Sequence, residues 1–260
     1  MTLEGGSLRM APRSPQLRIA SFLLVMAVLL AGIGLVGCGK KRPPAPPEKQ
    51  VETEEAAAKF PTAVIKTERG EITIRLLPDA APKTVENFIA LAKEGYFDRI
   101  TWHRVVAEYV IQSGDPTGTG EGGKTADGTP LPDEICAEAL GIDKLLVRDA
   151  ESLPFLREYY GKGYNVDVDQ WLGRPLKEFF EALGFTYTPG LKTRKALKGM
   201  VGMAHSGPGT ATSQFFIITH KPQPHLDGTF TFFGEVTAGL DIAQQIQQGD
   251  KLVSITIVEP

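Results

Sequence analysis

Gly118-Thr119-Gly120-Glu121-Gly122-Gly123-Lys124-Thr125 has the spacing of a phosphate-binding loop, and Gly118, Gly120 and Gly123 also fit G-x-G-x-x-G. Either motif works only where a helix follows at once, because the first helical amides and the helix dipole hold the phosphates. Here Ala126-Asp127-Gly128-Thr129-Pro130-Leu131-Pro132 follows, which cannot start a helix, so the stretch reads as a Gly-rich loop. His220 and His225 could ligate a metal. Only Lys221-Pro222-Gln223-Pro224 lies between them, and no third His, Cys or carboxylate sits at ligand spacing. His205 and Ser206 are adjacent, which in a strand points their side chains apart, and there is no G-x-S-x-G elbow. One cation among apolar residues remains: Arg104 in Trp102-His103-Arg104-Val105-Val106, followed by Tyr109-Val110-Ile111-Gln112. Taken alone, a solvated arginine on a strand is the plainer account.

The elements that must position these residues are mostly strands. Ala63–Thr67 and Glu71–Leu76 are β-branched runs around Glu68-Arg69-Gly70, a hairpin with Gly70 at the positive-φ position. Further strands are expected at Thr101–Val106, Tyr109–Gln112, Gly199–Ala204, Gln214–Thr219, Thr231–Val236 and Leu252–Val258. Pro82–Ala92 reads as a helix that starts on proline, shows Val85, Phe88, Ile89 and Ala92 on one face and stops at Gly95. A short helix, Leu240–Gln247, precedes the last strand. Eight strands joined by short turns, with two helices, predict an all-β fold: a closed eight-stranded antiparallel barrel. Residues 134–198 break that rhythm with helical stretches at Ile142–Val147, Leu153–Tyr159 and Leu176–Leu183 and with dense aromatics, among them Phe155, Tyr159, Tyr160, Tyr164, Trp171, Phe179, Phe180, Phe185 and Tyr187. So apolar a segment should fold as a helical insertion packed on the barrel.

The 260 residues are 42% hydrophobic with a formal net charge of -3, a balance that gives no reason to expect nucleic-acid binding. Two cysteines exclude a disulfide-rich scaffold and a four-thiolate zinc site. The N-terminus carries Arg9, Arg13 and Arg18 and then the uncharged run Ile19–Gly37, the layout of a secretory signal. Met10 is an alternative start. Leu35-Val36-Gly37-Cys38 resembles the bacterial lipoprotein box, in which the cysteine is lipidated and the chain is cleaved just before it. An uncleaved signal anchor is the rival reading, since the run approaches the roughly 20 residues that span a bilayer. On the lipoprotein reading 1–37 is the signal peptide, and Cys38 holds the chain on a membrane through lipid. Gly39, rather than Asp, then favours the outer membrane. The segment 38–60, with Pro43, Pro44, Pro46 and Pro47, is an extended tether, and 61–260 is the domain. Cleavage removes three Arg and one Glu and takes the charge to -5. Cys136 is left without a disulfide partner.

Trp102-His103-Arg104-Val105-Val106, Gln112-Ser113-Gly114-Asp115-Pro116, Gly122-Gly123-Lys124, Met203-Ala204, Ser213-Gln214-Phe215-Phe216-Ile217, Leu226-Asp227-Gly228 and Phe232-Phe233-Gly234 together resemble the cyclophilins. The resemblance runs from about Thr62 to Pro260, minus the insertion. It implies a peptidyl-prolyl cis/trans isomerase on a closed eight-stranded barrel capped by two helices, using neither cofactor nor metal. Its partners would be proline-containing polypeptides, and it would act as a monomer. Carried over by motif, Arg104 and Gln112 are the catalytic residues, and Tyr109, Val110, Phe216 and Leu226 form the proline pocket. Ala204, His205 and Gln214 line the groove, and His225 stands where many eukaryotic members have Trp, which implies weak cyclosporin binding. Tyr109 in place of the usual Phe adds a hydroxyl that needs a partner. His205-Ser206 replaces a commoner Asn-Ala. The competing function is a non-catalytic docking module that recruits partners through 134–198; exposed aromatics there would favour it. A lipid-anchored solute receptor lacks its two-lobed α/β pattern.

Overall fold

The computed structural model describes residues 60–260. The signal, Cys38 and tether assignments lie outside the described residues. Nine strands form in chain order: β1 Thr62–Thr67, β2 Gly70–Leu76, β3 Ile100–Thr101, β4 Arg104–Val106, β5 Val110–Ser113, β6 Met200–Met203, β7 Phe215–Ile218, β8 Phe232–Ala238 and β9 Lys251–Val258. They make one strongly curled antiparallel sheet in the order β3-β9-β1-β2-β8-β6-β7-β5-β4. The all-β antiparallel expectation holds as this curled sheet, with nine strands in place of the eight expected for a closed barrel. The single strand expected at Thr101–Val106 is two strands on opposite edges of the sheet, β3 on β9 and β4 on β5. Trp102 causes the break: its N–H donates to Asp250 O (2.9 Å) and its carbonyl accepts from Gly249 N–H (3.0 Å). Its ring, fully buried, meets Phe215 edge-on at 5.8 Å. Two residues, Trp102 and His103, thus carry the chain from one edge of the sheet to the other.

The β1–β2 turn is as expected, with Gly70 at φ 138° and opposite Thr67. Helix α1, Pro82–Lys93, ends in a left-handed Gly95 (φ 70°), whose N–H bonds Ala92 O while Tyr96 N–H bonds Leu91 O. Its start has no side-chain cap of its own. Glu134 supplies one from afar, accepting Lys83 N–H at 2.9 Å and Thr84 N–H at 2.8 Å, a carboxylate at the positive end of the helix dipole. The helix turns Val85, Phe88 and Leu91 into the sheet's concave side, where Phe88 packs against Phe97, Phe215 and Phe233 at 5.1–5.6 Å. Each such buried ring stabilises the fold by about 1.5–3 kcal/mol.

The 134–198 segment is helical but not as expected throughout. Helix α2 is Ala137–Leu140, ended by Gly141 at φ 75°, and Ile142–Val147 forms no helix because Ile142, Leu145 and Val147 bond the backbone of Lys177, Leu176 and Arg174 instead. Helix α3, Leu153–Leu156, runs into a wider π-helical stretch at Arg157–Lys162, and α4 is Leu176–Ala182. Leu156, Phe179, Phe180, Val147 and their neighbours form a core separate from that of the sheet. Helix α5, Leu240–Gln245, closes before β9. Among the described residues no helix is long and apolar enough to cross a membrane.

Candidate active site

Strand alternation sorts the site from the core. Along β4, β5, β7 and β6 one set of side chains, including Ile111, Phe215, Ile217 and Val201, enters the concave core. The other set faces outward and builds a row: Arg104 lies opposite Gln112, Gln112 opposite Phe216, and Phe216 opposite Gly202. Gly202 makes room for the pocket, because a Cβ there would lie 2.7 Å from the Phe216 ring and 3.0 Å from that of Phe232. Gly202→Ala should therefore displace Phe216 and cost about 1–3 kcal/mol, read by urea unfolding. An unchanged midpoint would show that the rings have slack.

Arg104 ends a hydrogen-bonded relay. Its Nη1 donates to Gln112 Oε1 (3.3 Å), Gln112 Nε2 donates to Gln214 Oε1 (2.9 Å), and Gln214 Nε2 donates to the carbonyls of Gly120 (3.0 Å) and Gly122 (2.7 Å). The fixed carbonyls at the far end orient both amides, so that only acceptors face the guanidinium. Burial lowers the pKa of Arg104, and the neighbouring Tyr109 acts the other way. A guanidinium nevertheless stays charged at neutral pH.

The loop that supplies those carbonyls is the one with phosphate-loop spacing, and its amides are already occupied. Asp115, fully buried, accepts N–H groups from Thr117 (2.8 Å), Thr119 (3.1 Å), Gly120 (2.7 Å) and Gly122 (3.2 Å), and the Thr117 hydroxyl as well. Burial pushes this carboxyl up, but the hydrogen bonds from Thr117, Gly120 and Gly122 outweigh it and hold the pKa at about 2. An internal anion thus fills the cradle. Sequence reasoning gave Asp115 no role, although an Asp opening a Thr/Gly-rich run is an Asx-turn signal.

Beside the relay, Val110, Phe216, Leu226 and Phe232 are buried in a third apolar cluster, with Tyr109, Ala204 and Phe230 half-buried against it. The hydroxyl of Tyr109 finds its partner in His225: Oη and Nε2 are 3.0 Å apart, and the rings stack at 5.8 Å and 22°. The two positions that depart from the family pattern at the pocket are thus one unit. Burial pushes Tyr109 up to about 12 and His225 down to about 4, so both are neutral at pH 7. A double-mutant cycle of Tyr109→Phe and His225→Phe should show a coupling of about 0.5–1.5 kcal/mol in unfolding free energy. Additivity would break the pair.

A pH dependence follows from the same burial. A histidine whose folded pKa lies below 6.5 gives full stability above pH 6.5 and loses it as pH falls towards 4. Burial likewise lowers His103 and His205. Asp227 opposes them: burial raises it to about 6, so it gains stability on acidification from about 6 to 3.8. With three histidines against one aspartate, the net expectation is a lower urea midpoint at pH 4.5 than at pH 7.

His205 does not present its side chain freely to a ligand. Nε2 donates to Thr229 O (2.8 Å), and the ring lies against Phe230 at 4.4 Å, which leaves Ala204 and the backbone beside it to face the groove. His220 and His225 do not converge, since His220 Nδ1 contacts Thr219 Oγ1 and His225 contacts Tyr109. Among the described residues no group of His, Cys, Asp and Glu is placed to hold a metal ion.

Fold and groove define the class once they are set beside known proteins: the chain is an enzyme, a peptidyl-prolyl cis/trans isomerase. The family described as cyclophilin type peptidyl-prolyl cis-trans isomerase/CLD matches residues 62–259, and this chain belongs to it. It is 34% identical over 182 residues to the Schizosaccharomyces pombe peptidyl-prolyl cis-trans isomerase ppi1, covering 70% of this chain and 82% of that protein. It is 33% identical over 187 residues to peptidyl-prolyl cis-trans isomerase B of Bacillus subtilis, covering 72% and 90%. A solved Cryptosporidium parvum cyclophilin type isomerase shares the fold, with a TM-score of 0.52 at 23% identity, covering 77% of this chain and 99% of that one.

Proposed function

We propose that this chain accelerates rotation of Xaa-Pro bonds in exported or envelope proteins, with Arg104 donating a hydrogen bond to the prolyl nitrogen. The observation that carries this reading is the relay ending in Arg104 at the edge of the pocket of Tyr109, Val110, Phe216 and Leu226. Peptide rotation costs about 18–20 kcal/mol because resonance is broken, and no covalent bond need be made or cleaved. In the twisted state the prolyl nitrogen becomes pyramidal and regains its lone pair. A guanidinium N–H aimed there favours the transition state over the planar ground state. Gln112 and Gln214 fix its direction, and the apolar pocket holds the ring away from water. One charge-assisted hydrogen bond contributes about 1.5–3 kcal/mol. An acceleration of about 10⁵-fold would need about 7 kcal/mol. Clamping of the ring and of the substrate backbone in the groove supplies the remainder.

The test is cis/trans exchange of an Ala-Pro peptide, followed by NMR, with a form that begins at Lys49. Acceleration is expected. Absence of acceleration on several Xaa-Pro peptides would leave a docking module in its place. The burial pattern favours catalysis over docking, because Phe179, Phe180 and Phe185 of 134–198 are buried and only Tyr164 among its aromatics is well exposed, at 45%.

Delivery to a bacterial membrane through lipid on Cys38 completes the reading, with the domain at the periplasmic or extracellular face as a monomer and 134–198 as an insertion in the family fold. It is supported by the basic, apolar and small-residue order ending at Cys38. Incorporation of labelled palmitate into the parent chain, lost in Cys38→Ala, is the expected outcome.

A further inference from the structure

We propose that Phe155 and Tyr159, carried by the 134–198 segment, extend the prolyl groove into an aromatic subsite that takes a flat apolar side chain next to the proline. The inference rests on the isomerase reading and names a substrate class for it. Four rings stand in series. Tyr109 stacks on His225 at 5.8 Å and 22°, His225 meets Phe155 at 4.5 Å and 41°, and Phe155 stacks on Tyr159 at 5.1 Å and 12°. The first two rings belong to the proline pocket and its rim, the last two to the segment. The column therefore begins in the groove and continues onto residues that the family motifs do not supply.

The column is not simply the core of the segment. Its core residues are closed to water: Leu156 and Phe180 are 0% exposed and Phe179 is 1%. Tyr109, His225, Phe155 and Tyr159 are all half-buried, so part of each residue stays accessible. Leu156 and Phe155 are neighbours on α3, and successive helical side chains diverge: Leu156 enters the core, whereas Phe155 lies at its margin, packed on the core and on His225. The column also lacks charge. Burial keeps His225 neutral, and the nearby ions Glu158 and Arg157 are paired with Lys162 and Asp169. An uncharged, partly open stack favours a flat apolar side chain over a charged one. The polar relay occupies the row at Arg104, whereas the stack leaves the pocket through His225, next in sequence to Leu226. A prolyl peptide would thus meet the polar relay at Arg104 and the stack at His225.

The experiment uses the full chain in detergent micelles with peptides Ala-Ala-Pro-Ala, Ala-Ala-Pro-Phe and Ala-Phe-Pro-Ala. NMR titration gives Kd, and exchange spectroscopy gives the rate. One of the two phenylalanine peptides should bind about threefold to tenfold more tightly than the alanine peptide, the size of a single aromatic contact. Phe155→Ala should erase that preference while changing the alanine peptide's Kd and rate much less than those of the preferred peptide. Phe155→Leu, which keeps most of the volume packed on the segment, should lower the preference without loss of fold by circular dichroism. Equal weakening of all three peptides by either variant would reduce Phe155 to a structural prop and overturn the subsite. So would a parent without preference that still accelerates exchange. Preference in binding without any exchange would uphold the subsite and sink the catalytic reading instead.

Discussion

Arg104→Ala is expected to keep the fold and lose about 10²–10³-fold in kcat, the effect of deleting one preorganised transition-state donor. The side chain is half-buried and bonds Gln112. Removal should therefore leave the urea midpoint within about 1 kcal/mol of the parent. The pocket of Val110, Phe216 and Leu226 remains intact, so peptide affinity should change far less than rate. Arg104→Lys should recover little, because an ammonium lacks the planar fork that can bond Gln112 and the prolyl nitrogen together. Exchange spectroscopy with saturating peptide separates the two parameters. A variant that loses affinity and rate in equal measure would make Arg104 a binding residue only.

Asp115→Ala should be the most damaging single change to stability outside the core. It removes one carboxylate that accepts from four backbone N–H groups and a hydroxyl, and it leaves those donors to compete for whatever water can enter. A cost of about 3–5 kcal/mol is expected for breaking such a network. Asp115→Asn keeps the size and one acceptor but turns an NH2 group toward amide donors, so it should fold yet let the Gly120 and Gly122 carbonyls drift. Gln214 then loses its anchor, and the error passes through Gln112 to Arg104. The expected signature is a fall in kcat of about tenfold with Kd nearly unchanged. The same group sets an acid limit. Its folded pKa of about 2 lies below the ordinary 3.8, so its stabilisation is full above about pH 4 and lost between 4 and 2. Urea midpoints across that range should fall in the parent more steeply than in Asp115→Asn.

Much of this arrangement was legible in the residues. The strand runs expected at Tyr109–Gln112 and Gln214–Thr219 form as β5 and β7 within a residue at each end, and the stretch after Thr125 begins no helix. The need of the Tyr109 hydroxyl for a partner was plain, but its partner lies 116 positions away and no local spacing links them. The split at Trp102 was hidden for a related reason. Trp102-His103-Arg104 continues a strand-like run, and only the bonds of Trp102 to Asp250 and Gly249 show where one ladder stops. In 134–198 the pattern at Ile142–Val147 reads as helical, but its backbone pairs with residues 174–177, which no local spacing reveals. The route from Phe155 to the pocket depends on tertiary packing alone, since it joins two segments 70 residues apart.

β1 is hydrogen-bonded to β2 on one side and to β9 on the other, with Thr62 opposite Val258, two residues before the last. A chain that emerges N-terminus first, from a ribosome or through a membrane pore, can make the β1–β2 hairpin early but must leave one hairpin edge uncovered until its final strand arrives. Such long-range pairing slows folding and prolongs exposure of an unpaired edge. Completion of the sheet is thereby timed to the arrival of β9, and the β1 edge stays open until that strand has been made.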